Sequence, residues 1–151
     1  MKRSLVLLSL VILAASVAGF AQKDRKYIVL KRATPAAVNA PFSEAVRVGD
    51  TLYISGHIGF DPATGKPGAT PEQEARLVMD AIQRTVEAAG MSMDDVVQVQ
   101  VYCTDVSLYD TFNSVYRSYF HGNYPARAFL GSGKLLFGAR YEVMGLAVKK
   151  K

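Results

Sequence analysis

The chain has 151 residues, 18 Lys and Arg against 13 Asp and Glu, and one cysteine, Cys103. That length suits one domain able to bury its own core. A formal charge of +5, partly in a terminal Lys149-Lys150-Lys151 tail, is too mild to predict a nucleic-acid surface, and a lone cysteine excludes an intrachain disulfide.

Met1-Lys2-Arg3 is a basic start, followed by the apolar run Leu5 to Phe20 and small residues at Gly19 and Ala21. The run is shorter than the roughly 20 residues that span a bilayer. The pattern predicts a signal peptide over 1–21, cleaved after Ala21, and a mature domain over 22–151 in the periplasm or outside the cell, with no membrane contact after cleavage. Losing Lys2 and Arg3 lowers the charge from +5 to +3.

Lys26–Arg32 (KYIVLKR) reads as a first strand and Ala33–Val46, rich in Pro, Ala and Asn, as a loop. After the Gly49-Asp50 turn signal, Leu52–Ile58 reads as a strand, and Asp61-Pro62 with Gly65 as a surface turn. Thr70-Pro71-Glu72-Gln73 predicts a capped helix start, with Gln73 reaching back to the Thr70 amide. Ala75, Val78, Ile82, Val86 and Ala89 form one apolar stripe, and Gly90 closes the helix.

DVVQVQVYCTD then alternates, with Val97, Val99, Val101 and Cys103 on a dry face and Gln98, Gln100, Tyr102 and Thr104 opposite. Ser107 and Asp110 open a second helix carrying Leu108, Phe112, Val115, Tyr116 and Tyr119. Tyr124 to Val148 supplies two final strands around a Gly-rich turn. The whole reads as an α+β domain with two helices on one face of a mixed sheet. The second face is too polar for a monomer core and too uncharged for open solvent, which predicts an oligomer with sheet faces turned inward.

Gly131-Ser132-Gly133-Lys134 lacks the upstream glycine and following Ser/Thr of a phosphate loop. His57 and His121 have no second ligand at helix or hairpin spacing, so no metal site is predicted. His57 reads first as a satisfied strand residue and Cys103 as a small core residue. Arg127 and Glu142 stand out, as charges inside runs that otherwise read as core. Either they form a structural ion pair, or the arginine fork binds a carboxylate while the glutamate positions or deprotonates a water.

Several segments together resemble the Rid family (RidA, YjgF, L-PSP). These are TPAAVNAPFSEAVRVGDTLYISGHIGFDPATG, AAGMSMDDVVQVQVYCTDV, FNSVYRSYF, YPARAFL and YEVMGLAV, which span about Thr34 to Lys150. The resemblance implies a chorismate-mutase-like fold and a homotrimer with an inner barrel of sheets and active sites between subunits. It also implies hydrolysis of 2-imino or enamino acids to 2-keto acids and ammonia, without cofactor. By position, Arg127 would clamp the substrate carboxylate and Glu142 orient the water. Ser55 and Gly56 would line the cleft, with Asn113 near it, Phe42 at a substrate-facing position, and the backbone at Phe129 holding the same water. Three positions depart from the family pattern: Phe42 stands where Tyr is usual, Ala128 where Ser or Thr is common, and His57 where Gln is often found. The alternatives are a non-catalytic carboxylate-binding or chaperone-like trimer and an endoribonuclease or translation inhibitor. The latter lacks a basic stripe interleaved with aromatics.

Overall fold

The computed structural model describes residues 24–30 and 40–150. The expected signal peptide, and the loop up to residue 39, lie outside them. No helix among the described residues is long and apolar enough to cross a membrane.

Helix α1, Pro71–Ala88, begins as its sequence predicts: the Thr70 hydroxyl accepts from the Gln73 amide at 3.1 Å, and Pro71 occupies the first turn. The Gln73 side chain accepts from the Ala69 amide rather than that of Thr70. At the other end Gly90 takes φ +73°, and the Gly90 and Met91 amides bond the carbonyls of Glu87 and Val86. A left-handed glycine with this pair of bonds satisfies the last carbonyls. The Thr70 cap is worth about 1 kcal/mol. Val78, Met79, Ile82 and Val86 are all buried, at about 1.5–3 kcal/mol for each large apolar side chain. Burial of the stripe, more than the cap, holds this helix down.

The main sheet is built from β1 Arg25–Ile28, β2 Ala45–Val48, β3 Thr51–Ile58, β6 Val96–Cys103, β7 Ala126–Gly131 and β8 Tyr141–Val148. These six strands lie in the order β1-β2-β3-β8-β6-β7. A separate hairpin, β4 Phe60–Asp61 with β5 Lys66–Pro67, occupies the expected surface turn. Several readings are corrected here. The first strand ends at Ile28 rather than running to Arg32. The loop expected as far as Val46 gives way to β2 at Ala45, where the backbone pairs with β1 and β3 on both sides. The final two strands are not neighbours: β6 lies between them, antiparallel to β8 and parallel to β7. The connection through helix α2, Tyr109–Tyr116, makes that parallel pairing possible.

On β6 the dry face is Val96, Val99, Val101 and Cys103, and Val97 is exposed. Pairing slips by one residue between Val96 and Gln98. Such a bulge inverts the phase on one side of it, which strict alternation misses. Gly145 lies against this irregularity, where a Cβ would collide with the Gln98 carbonyl. The core forms between this face of the sheet and both helices; Phe112 of α2 packs on Tyr141 at 5.0 Å between centroids.

The opposite face carries Tyr53, Ile58, Gln98, Gln100, Tyr102, Glu142, Met144 and Leu146, half-buried or exposed. On β3, β6 and β8, Glu142 is the one charged side chain of that face. Arg140, two residues before Glu142, precedes β8 and turns the other way. Its guanidinium bonds the fully buried Glu74 carboxylate at 2.7 Å, and the same carboxylate accepts from the Arg140 and Tyr141 amides. Among the described residues the Arg–Glu pair with a buried carboxylate is therefore Arg140 with Glu74, the other, Arg76 with Glu72, being exposed on α1.

Candidate functional site

Two groups of predicted site residues form, one on each side of the sheet. The first surrounds Arg127. Its Cα partner on β6 is the buried Val99, so it faces the helices. Nη2 donates to Asn113 Oδ1 at 2.7 Å and lies 3.5 Å from the Tyr109 hydroxyl. The guanidinium carbon sits 4.5 Å from the Tyr116 ring centroid, and 5.7 and 6.0 Å from those of Tyr109 and Phe129. A planar cation over aromatic faces is held without being neutralised. Among the described residues no carboxylate pairs with Arg127, and neither Nε nor Nη1 is hydrogen-bonded. That leaves an ordered fork with free donors, the geometry that takes a carboxylate through two parallel bonds.

Tyr109 and Tyr116 are the partners of Arg127 that sequence reasoning misses: Tyr116 reads there only as part of an apolar stripe, and Tyr109 is not singled out. With Asn113 they lie at spacings of four and three on α2, one helical face. That spacing is the available signal. Burial pushes the Tyr116 hydroxyl up to about 12, against the pull of Arg127, so it stays neutral beneath the cation.

The second group surrounds Glu142, whose Cα partners are Ile58 on β3 and Tyr102 on β6. Pairing of β3 with β8 slips between Ile54 and His57, so Ser55-Gly56 form a bulge. A Cβ on Gly56 would collide with Glu142 Oε1, so glycine is what admits the carboxylate against the backbone. The Ser55 hydroxyl donates to the Ser43 carbonyl at 2.7 Å and its amide to the Glu44 carbonyl at 3.0 Å. These bonds tie the segment bearing Phe42, whose ring is exposed, to the bulge. Among the described residues Glu142 has no ion-pair partner.

His57 is buried, 3.5 Å from Glu44 Oε2 and 3.4 Å from the Thr85 hydroxyl. It is a satisfied strand residue, as its sequence setting predicts. Cys103 is fully buried, and burial raises its thiol pKa. We expect it to be unreactive toward an aromatic disulfide reagent in the native protein at pH 8 and to react as one thiol per chain in guanidinium. Fast native labelling would contradict its placement.

Within one chain, then, Ser55, Gly56 and Glu142 come together, with Phe42 next to the Ser43 carbonyl that Ser55 bonds, as do Asn113, Arg127 and Phe129. The two groups face opposite sides of the sheet.

Residues 32–149 match the family model described as Endoribonuclease L-PSP. The chain is 39% identical over 127 residues to the rat protein named 2-iminobutanoate/2-iminopropanoate deaminase, covering 83% of this chain and 90% of that one. Among solved structures, RidA from the Antarctic bacterium Psychrobacter sp. PAMC 21119 is similar at TM-score 0.74 and 35% identity, over 82% of this chain and all of that one. Escherichia coli TdcF with bound serine is similar at TM-score 0.74 and 30% identity, over 83% and 100%. The mixed sheet with two helices on one face, and a sequence matched from residue 32 to 149, identify this chain as a member of the Rid (L-PSP, RidA/YjgF) family.

Proposed function

We propose that the protein hydrolyses 2-imino or enamino acids to 2-keto acids and ammonia in clefts built by neighbouring copies of a trimer. One observation carries this: Arg127 and Glu142 each lack a charged partner among the described residues, and they lie on opposite faces of one sheet. An arginine fork and a carboxylate so placed meet around one small substrate when a second chain brings its sheet face to the first. The uncharged face around Glu142 suits such packing. The relatives named as imine deaminases support the chemistry.

The reaction needs only water. Arg127 of one copy holds the carboxylate, which fixes the adjacent C=N carbon. Glu142 of the other copy, seated on the Ser55-Gly56 bulge, orients water toward that carbon and takes its proton. Glu142 returns that proton to the substrate nitrogen, giving the carbinolamine. The C–N bond then breaks as the hydroxyl becomes the keto C=O, its proton passing through Glu142 to the nitrogen, which leaves as ammonia. Imines are already electrophilic, so positioning plus a base worth about 10²–10⁴-fold suffices.

The test supplies imino acids from an amino-acid oxidase, with semicarbazide as a competing trap, to protein beginning at Gln22. We expect wild type to accelerate keto-acid release and Glu142→Gln to reduce kcat by about 10²–10⁴-fold. Sedimentation should show a trimer; a monomer with full activity would sink the two-copy cleft. Binding without turnover is the second reading. It rests on Phe42, which brings no hydroxyl to the cleft, and it predicts that carboxylates raise the melting temperature while keto-acid release stays at background. An RNA-cleaving role has less support, because His57 is buried against Glu44 and Thr85. Cleavage after Ala21 and export to the periplasm or medium complete the proposal, on the strength of the apolar run before Ala21.

A further inference from the structure

We infer that the Tyr109 hydroxyl is a further donor to the substrate carboxylate, bonding the same oxygen that Arg127 Nη2 takes. The inference rests on the imine-hydrolysis reading above and deepens it. Tyr109 opens α2, with Asn113 one turn further along the same face. Its ring meets Phe129 of β7 edge-on, with centroids 5.1 Å apart and planes at 89°. Phe129 lies two residues beyond Arg127, and their Cα partners on β6, Val101 and Val99, are both buried. One face of β7 thus carries the cation and the ring that seats Tyr109 beside it. The phenol oxygen comes to rest 3.5 Å from Arg127 Nη2.

That distance lies outside the roughly 2.7–3.2 Å of a good N–H···O bond. The acceptor that Nη2 bonds well is Asn113 Oδ1, at 2.7 Å. The Tyr109 hydroxyl proton has no acceptor among the described residues, whereas the Tyr102 and Tyr119 hydroxyls donate to Gln100 Oε1 and Asp80 Oδ1. Tyr109 is 45% exposed, so its hydroxyl is open to a ligand. Packing on Phe129 and the contact with the guanidinium, 5.7 Å from the ring centroid, would be met by phenylalanine as well. What those contacts leave unexplained is the oxygen.

Two donors at this separation can share one acceptor, since an oxygen about 2.8 Å from each closes the triangle. A carboxylate oxygen fits that place: it has lone pairs for both donors, and its charge strengthens both bonds. Tyr109 therefore extends the arginine fork by one donor without adding charge.

Tyr109→Phe removes the hydroxyl and keeps the ring. The experiment measures kcat and KM for 2-iminopropanoate, together with the Kd for pyruvate, which presents the same carboxylate, in wild type and variant. We expect KM and the pyruvate Kd each to rise by about 10-fold, the effect of losing a hydrogen bond to a charged group. The value of kcat should hold, because the carboxylate is gripped alike in the ground state and the transition state. An unchanged pyruvate Kd overturns the inference. So does a fall in kcat with KM unchanged, which would put the hydroxyl at the reacting carbon. If neither protein turns over an imino acid but pyruvate binds more weakly to the variant, the donor role stands and the reaction assignment fails. If wild type binds no pyruvate, the donor role fails together with the Arg127 clamp.

Discussion

Arg127→Ala is expected to abolish imine hydrolysis and carboxylate binding together while leaving the oligomer intact. The guanidinium bonds Asn113 and lies over Tyr116, and it pairs with no carboxylate among the described residues. Its removal therefore leaves no partner charge stranded within the chain. The folding cost should be about 1 kcal/mol, from the lost hydrogen bond to Asn113. The functional cost should be larger: truncating one side of a buried, hydrogen-bonded charge pair costs about 2–5 kcal/mol, or at least about 30-fold in kcat/KM at the low end. Arg127→Lys keeps the charge but not the fork and should fall between the two. Parallel measurement of kcat/KM, pyruvate binding and sedimentation separates these effects. Undiminished activity in Arg127→Ala would place the carboxylate clamp elsewhere.

The largest effect on stability is expected at Glu74, which has no part in the proposed chemistry. Its carboxylate is fully buried and accepts from the Arg140 side chain at 2.7 Å and from the backbone amides of Arg140 and Tyr141. These bonds fasten the start of β8 to the first turn of α1. Glu74→Ala strands two amides and a cation, and breaking a buried pair in this way costs about 3–5 kcal/mol. Because the Arg140 side chain is about one-third exposed, water can rescue part of that, and the lower end of the range is expected. Denaturant unfolding would measure it, and a double variant with Arg140→Met should recover part of the loss. A cost below about 1 kcal/mol would mean that the β8 junction is held by packing alone.

Local pattern is informative wherever the determining contacts lie within a turn or two of chain. The Thr70 cap, the Pro71 start, the stripe through Val86 and the left-handed Gly90 all follow from residues within four positions of one another. The face assignment of β8 from Glu142 to Leu146 follows from alternation. Alternation fails at Val97 because a bulge in the pairing of β6 with β8 is a property of two strands, not one. Arg140 escapes it for a similar reason. What turns that side chain is Glu74, 66 residues away in sequence, and nothing local marks the pairing. Tyr109 and Tyr116 read equally well as core or as a bed for a cation until Arg127 from β7 lies across them.

By itself, the sequence determined the two ends of α1, the dry face of β6 from Val99 to Cys103, the two unusual charges and the family. These depend on short-range periodicity and on residue identities at particular positions. Only the tertiary structure decided that β6 separates β7 from β8, which places Arg127 and Glu142 on opposite faces of the same sheet. It also decided that, among the described residues, the Arg–Glu pair with a buried carboxylate is Arg140 with Glu74, which leaves the other two charges available. Strand order and side-chain partnership arise from contacts between distant segments, whose outcome depends on the whole packing of the core.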